Sequence, residues 1–179
     1  MRDFSFIWVG TGGGGGGRQR VAAVRGWQTG GVPIAIEPAR QPEVEAMLRA
    51  GDEFARSLYP TDECFMLDIG ELESPGVTVW VARRGGIAVG MASLVIGGEP
   101  PELKRLFVSE DARGVGLAGN LLDAAEKHAR DASARVIQLE TGNLSDAAIA
   151  LYEKRGYRHI PRFGGYLGSQ SSVCMELKL

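Results

Sequence analysis

The chain has 179 residues, 44% hydrophobic and 23% charged, enough for one domain with a full core. Twenty Lys and Arg against 22 Asp and Glu leave a net charge of −2, which excludes a strongly basic nucleic-acid scaffold. No apolar run approaches the roughly 18 residues of a membrane span, and Cys64 and Cys174 are too few for a disulfide framework. With only His128 and His159 to join them, they suggest no metal cluster either. The expectation is a reduced, cytoplasmic protein without nucleic-acid, membrane or metal partners.

Residues 1–31 stand apart. Ten of the 26 glycines fall there, six of them in the run 12–17. Such a run has much backbone entropy to lose on ordering. The short apolar piece after Arg2 lacks the length and cleavage pattern of a secretory signal. Arg18-Gln19 follows the run where a phosphate loop needs Lys-Ser or Lys-Thr. The segment reads as a disordered Gly-rich extension, with the folded domain at 32–179.

Residues 32–37 (VPIAIE) predict a strand. Pro42 then opens a helical pattern over 43–58, with Val44, Met47, Leu48, Phe54 and Leu58 near helical spacing. Residues 63–74 are ambiguous. Residues 77–83 and 87–96 are strand-like runs joined by Gly85-Gly86, a hairpin signature. Residues 102–108 form a further strand. A glycine-containing loop leads into a helix whose Leu117, Leu121, Leu122, Ala125 and Ala129 share a face, with Asp123, Glu126, Lys127, His128 and Arg130 expected mainly toward solvent. Residues 136–139 predict a strand. Ser145 is placed to cap a second helix that ends at Gly156, and residues 157–160 and 173–177 close the pattern. The fold class is α/β of the α+β type, a mixed sheet flanked by helices.

The loop reads Arg113-Gly114-Val115-Gly116-Leu117-Ala118-Gly119. Strand, glycine loop and helix N-terminus together offer unsatisfied N–H groups to an anion, and Arg113 can add a charge. Gly114-x-Gly116-x-x-Gly119 also matches a dinucleotide fingerprint, with Glu140 ending the next strand. Five intervening residues (109–113), an upstream hairpin in place of βαβ, and only 39 residues beyond Glu140 argue against that reading.

Arg113-x-x-Gly116-x-Ala118 resembles the (Gln/Arg)-x-x-Gly-x-(Gly/Ala) loop of the GNAT superfamily of N-acetyltransferases, which binds the coenzyme A pyrophosphate. Residues 102–122 (ELKRLFVSEDARGVGLAGNLL) and 147–157 (AAIALYEKRGY) look like that family's two characteristic stretches, at the right separation. The resemblance implies a GNAT-like, mostly antiparallel mixed sheet and acetyl-CoA as co-substrate, with no metal. It also implies thioester contacts from the backbone of Leu106, Phe107 and Val108, and phosphate contacts from Arg113, Gly114, Val115, Gly116, Leu117 and Ala118.

Tyr152 matches the family's tyrosine and is the candidate acid. A phenol of pKa about 10 can reprotonate a thiolate whose conjugate acid lies near about 8.5 at modest cost. Glu102 is the candidate base, with Glu99 a neighbouring rival and a water chain an alternative. The family often has Asn seven residues before the tyrosine; that position is Ser145, with Asn143 two residues earlier, so the coenzyme contact falls on one of these two. Cys174 reads as core. Lys104 and Arg105 are expected on opposite strand faces.

By the same resemblance, the acceptor groove draws Tyr59, Asp62, Glu63 and Asp68 from one side and Arg162, Phe163 and Tyr166 from the other. That mixture suits a small or amino-acid-like primary amine, with a peptide or protein terminus as the open alternative. The expected activity is direct acetyl transfer by a monomer or homodimer. The alternatives are a catalytically silent acyl-CoA-binding sensor or interaction module, and a nicotinamide-binding protein.

Overall fold

A computed structural model describes residues 31–179. The Gly-rich extension assigned to residues 1–31 therefore lies, except for Gly31, outside the described residues. The elements are β1 (Ile34–Ile36), α1 (Pro42–Leu58), α2 (Ile69–Leu72), β2 (Val77–Arg84), β3 (Ile87–Val95), β4 (Glu102–Val108), α3 (Leu117–Asp131), β5 (Val136–Gly142), α4 (Asp146–Lys154), β6 (Arg158–Ile160) and β7 (Ser172–Lys178). Short 3-10 turns lie at Thr61–Glu63, Glu110–Ala112 and Gly164–Tyr166.

The strands form one seven-stranded sheet in the order β1-β2-β3-β4-β5-β7-β6. All neighbours are antiparallel except β4 and β5. Helices cover both faces. On one, Val44, Met47 and Leu48 of α1 and Leu72 of α2 pack against Val79, Val81 and Met91. On the other, Leu117, Leu121, Leu122, Ala125 and Ala129 of α3, with Tyr152 and Tyr157, pack against Trp80, Ala92, Leu94, Ile137 and Leu139.

Local chemistry explains the element ends. Pro42 starts α1, where its missing N–H has no intrahelical partner to lose, and Glu43 and Glu45 suit the positive end of the helix dipole. Gly85 and Gly86 turn β2 into β3, both with positive φ. The ambiguous stretch contains a capping box: Asp68 accepts from the Glu71 N–H at 2.8 Å and Glu71 accepts from the Asp68 N–H at 2.8 Å, which starts α2. Gly90 is a packing requirement. A Cβ there would lie 3.0 Å from the Phe107 carbonyl and 3.2 Å from a Leu121 methyl, tight enough that β4 or α3 would have to shift slightly to admit it.

Two α3 residues differ from expectation. His128 does not face solvent; its Nε2 lies 3.3 Å from Thr78 Oγ1 and its ring meets Trp80 edge-on at 5.3 Å. Glu126 is 4% exposed, not solvated. It accepts from Arg155 Nε at 3.0 Å and Nη2 at 2.8 Å, and from the Tyr157 hydroxyl at 3.4 Å. Burial works against the Arg155 charge, but bonds to Glu126 and Asp123 outweigh it and raise its pKa. The pair ties the end of α4 to α3, and helical spacing cannot reveal a cation 29 residues away.

Removing one partner leaves the other charge buried and uncompensated. Arg155→Met is expected to destabilise the protein by about 3 kcal/mol in chemical denaturation at neutral pH. A loss below about 1 kcal/mol would mean that the pair behaves as an exposed surface bridge.

Candidate active site

The site begins with a gap in the sheet. β4 and β5 pair only at Glu102↔Gln138 and Leu103↔Leu139. Beyond those two rungs the strands part. Residues 105–108 keep β3 on one side but have no strand partner on the other. The register explains where the parting begins. Ser93↔Arg105 is followed by Leu94↔Leu103, so Lys104 is an extra residue on β4, and such a bulge bends and twists its strand.

A cavity of about 440 Å³ fills the gap. Lys104, Arg105, Leu106, Phe107 and Val108 line it from β4, and Glu140, Thr141 and Gly142 from β5. Ala118 of α3 and Ala147, Ala148, Leu151 and Tyr152 of α4 enter from one layer. Gly51, Phe54 and Ala55 of α1 enter from the other, with Tyr59 and residues 63–66 after it. The volume falls in the range of small-molecule sites, and the opening connects the two faces of the sheet.

The glycine loop flanks this cavity. Gly114 and Gly116 have φ of 74° and 81°, which L side chains rarely adopt, and Gly116 caps α3. Val115 is 65% exposed, whereas the Leu117 side chain is core, leaving its backbone at the helix start. Ala118 lines the cavity. Arg113 does not; its Nε and Nη2 atoms are buried, and burial lowers its pKa against the pull of Glu110.

Tyr152 is buried, with its ring 5.5 Å from that of Tyr157. Burial raises its pKa and the Glu140 charge adds to the rise, so the phenol keeps its proton at physiological pH. Glu102 does not line the cavity. Its Oε1 accepts from Tyr166 at 2.5 Å and from Lys104 at 3.2 Å. The Lys104 ammonium also reaches the Tyr166 hydroxyl. Burial and then the Glu102 bond raise the Tyr166 pKa. Glu99 is exposed and lies outside this cavity.

Glu140 is the carboxylate that sequence reasoning passed over as a catalyst. It lines the cavity and accepts from Ser172 Oγ at 2.6 Å. Burial raises its pKa, Ser172 and Lys104 oppose the rise, and Glu102 adds to it. Its signal was visible, a carboxylate directly after the apolar run at 136–139 and 12 residues before Tyr152 (152 − 140), although β5 continues past it to Gly142.

Ser145 takes the N-cap position of α4, but its side chain does not cap the helix. Its Oγ lies 3.0 Å from the Tyr59 hydroxyl, which also accepts from the Leu144 N–H at 2.9 Å. Tyr59 can sit there because residue 142 is glycine; a Cβ would lie 2.1 Å from the tyrosine ring. Asn143 is exposed and away from the cavity.

Of the expected acceptor residues, Asp62 is exposed and Asp68 caps α2. Arg162 holds its own loop through the carbonyls of Ser172 and Gln170, at 2.9 and 3.4 Å. Phe163 stacks edge-on against Tyr166 at 5.2 Å. Glu63 accepts from Ser169 Oγ, from the Gln170 and Ser171 N–H groups, and from Ser171 Oγ. These bonds, the Ser171 hydroxyl foremost, lower its pKa to about 2. Lys104 and Arg105 both line the cavity, and Arg105 bonds Asp52 at 2.7 Å and the Leu67 carbonyl. Cys174 is core, as expected. Among the described residues no group of His, Cys, Asp and Glu could hold a metal ion, and no helix is long and apolar enough to cross a membrane.

Comparison with known proteins agrees with this geometry. Residues 42–157 match the model of the acetyltransferase (GNAT) family. An IAA acetyltransferase of Azospirillum brasilense is 36% identical over 150 residues, covering 83% of this chain and 98% of that one. A Klebsiella pneumoniae crystal structure, provisionally assigned as an acyl-CoA N-acyltransferase, is 30% identical with a TM-score of 0.69, over 83% of this chain and 97% of that one. A GNAT acetyltransferase of Elizabethkingia anophelis with acetyl-CoA bound shares the fold at 16% identity and a TM-score of 0.60, over 84% of this chain and 100% of that one. The two motif stretches, the parted central strands and the family match have one conclusion: the chain belongs to the GNAT acetyltransferase family.

Proposed function

We propose that the domain at residues 32–179 is an N-acetyltransferase that moves the acetyl group of acetyl-CoA directly to a primary amine of a small, amino-acid-like acceptor. The observation that supports this most is the cavity through the sheet, lined by α3 and α4 on one face and α1 on the other. A donor held on one face can meet an acceptor entering from the other with no covalent relay through the protein.

The residues present fit the donor. The open β4 edge at 106–108 offers backbone groups without a strand partner. Gly114 and Gly116 let the chain approach a diphosphate, and the first N–H groups of α3, from Leu117 and Ala118, point at it. Arg113 opens this loop with its Nε and Nη2 atoms buried, and Val115 within it is exposed. Ala118, Ala147 and Ala148 leave room for a flexible arm. Asn143 stands outside the cavity, and Ser145 would contact the coenzyme only beside its bond to Tyr59. When bound, acetyl-CoA supplies the activated thioester.

The chain's own groups then do three things. A backbone N–H at the open β4 edge stabilises charge developing on the carbonyl oxygen. Tyr152 donates its proton to the departing sulfur; burial and the Glu140 charge keep the phenol protonated, so that the proton is in place when the thiolate forms. Glu140 takes a proton from the acceptor amine. Its raised pKa makes it a better base than a solvated glutamate, and Ser172 fixes its orientation. Glu102 contributes through Lys104 and Tyr166, which it holds beside the cavity.

Calorimetric titration with acetyl-CoA, with NADH in parallel, tests the donor assignment, and an amine panel read by release of free thiol tests transfer. Saturable binding of acetyl-CoA alone is expected, with turnover on small primary amines. Binding without turnover across the panel would leave an acyl-CoA-binding module, and binding of NADH alone would reverse the loop assignment. Tyr152→Phe is expected to lower kcat by about a hundredfold with acetyl-CoA affinity retained. Unchanged turnover would remove the phenol from the reaction.

Glu140 must be ionised to accept a proton, so kcat/KM should fall as pH drops through a pKa above the ordinary glutamate range. Glu140→Gln should lose that limb of the profile and about a hundredfold in kcat. Its melting temperature at neutral pH should not fall, because a raised carboxylate pKa means that the ionised form destabilises the fold above it. A retained acidic limb would assign the base elsewhere.

A further inference from the structure

We propose that Glu63 is a specificity-determining residue that bridges the acceptor side of the cavity and restricts it to small amines, excluding polypeptide acceptors. The proposal rests on the acetyl-transfer reading and narrows its substrate class.

Two loops bound the cavity on this side, residues 59–68 after α1 and residues 161–171 between β6 and β7. A polypeptide acceptor is an extended chain that continues beyond the reacting amine, so it needs a cleft open between such walls. Here the walls are joined. Glu63 accepts from Ser169 Oγ at 2.9 Å, Gln170 N at 3.1 Å, Ser171 N at 2.7 Å and the Ser171 hydroxyl. Glu63 and Ser171 both line the cavity, so their bond forms part of its wall. A second contact repeats the connection, with Phe65 meeting Tyr166 edge-on at 5.0 Å.

The chemistry of the contact makes it a closure more than a ligand. A carboxylate with four donors has most of its lone pairs engaged, which leaves it poorly suited to receive a substrate ammonium. Charge-assisted bonds of this kind are stronger than neutral ones. Parting the loops would strip the carboxylate of four donors at once, and a peptide would have to replace them. A small amine can enter without parting the loops.

The test compares acceptors with the same reacting group and different length. The probes are the amino-acid amide that the panel prefers and a six-residue peptide beginning with the same residue. Their kcat/KM ratio is measured for wild type, Glu63→Ala and Ser171→Ala. Calorimetric binding of both probes to the coenzyme A-loaded protein gives the same ratio without turnover. Wild type is expected to favour the amide by at least about tenfold, and Glu63→Ala to shrink that preference by about tenfold, with Ser171→Ala intermediate. Equal use of both probes by wild type overturns the proposal. So does a folded Glu63→Ala protein that binds acetyl-CoA but keeps the wild-type ratio, and in that case the acetyl-transfer reading stands. Failure of wild type to bind acetyl-CoA overturns both. Should Glu63→Ala not fold, the Ser169→Ala, Ser171→Ala double variant removes two donors while leaving the carboxylate, and an unchanged ratio there is equally decisive.

Discussion

Two rungs of parallel pairing between β4 and β5, and no more, are the constraint on which this molecule is organised. A sheet normally satisfies every backbone group of an interior strand. Here the extra residue at Lys104 turns β4 away after Leu103, while β5 stays with β7 along its whole length. The half of β4 that pairs with β3 alone leaves its other edge as a wall against which a ligand can form strand-like bonds. Because helices cover both faces, the same parting becomes a passage between two otherwise separate layers. A fully paired sheet would have given a more ordinary core and no place for two substrates to meet.

Around that opening the polar groups are secured in pairs and clusters. Arg105 is held by Asp52 and the Leu67 carbonyl, Lys104 by Glu102 and Tyr166, Tyr59 by Ser145 and Leu144, and Glu63 by the loop before β7. Apart from Lys104–Glu102 within β4, these bonds join segments far apart in the chain, so they tie the walls to one another around the space between them. Glu140 and Tyr152 are titratable groups on that wall whose pKa values burial pushes upward. A carboxylate of raised proton affinity and a phenol kept protonated are both consequences of the same loss of water. The electrostatics and the shape of the site therefore have a common origin in the gap.

Much of this was legible in local pattern. The hairpin at Gly85-Gly86, the apolar face of α3 and the strand–loop–helix around Arg113–Gly119 follow from periods of two and 3.6 and from glycine chemistry. The Asp68–Glu71 capping box was equally local, but it opens a helix of only four residues, too short to carry a hydrophobic period. Glu126 and His128 were misplaced because helical spacing records which side of a helix a residue occupies and not what packs there. Glu126 is buried only because Arg155 and Tyr157 arrive from the far end of α4.

The candidate site divides in the same way. The sequence by itself determined the glycine loop, the strand that precedes it and the place of the tyrosine in α4, because each lies in a short stretch that can be read locally. Tertiary structure alone decided which carboxylate reaches the cavity. Glu102 opens β4 and Glu140 lies within β5, but the Lys104 ammonium and the Tyr166 hydroxyl engage the first, while the parting of the strands leaves the second on the wall. It also decided that Ser145 serves Tyr59 in place of its own helix, and that Glu63 spans two loops 106 to 108 residues apart in the chain. Local chemistry propagates over a few residues and can be read in order. Contacts between distant segments depend on where the sheet bends, and a bend of one residue re-aims every side chain beyond it.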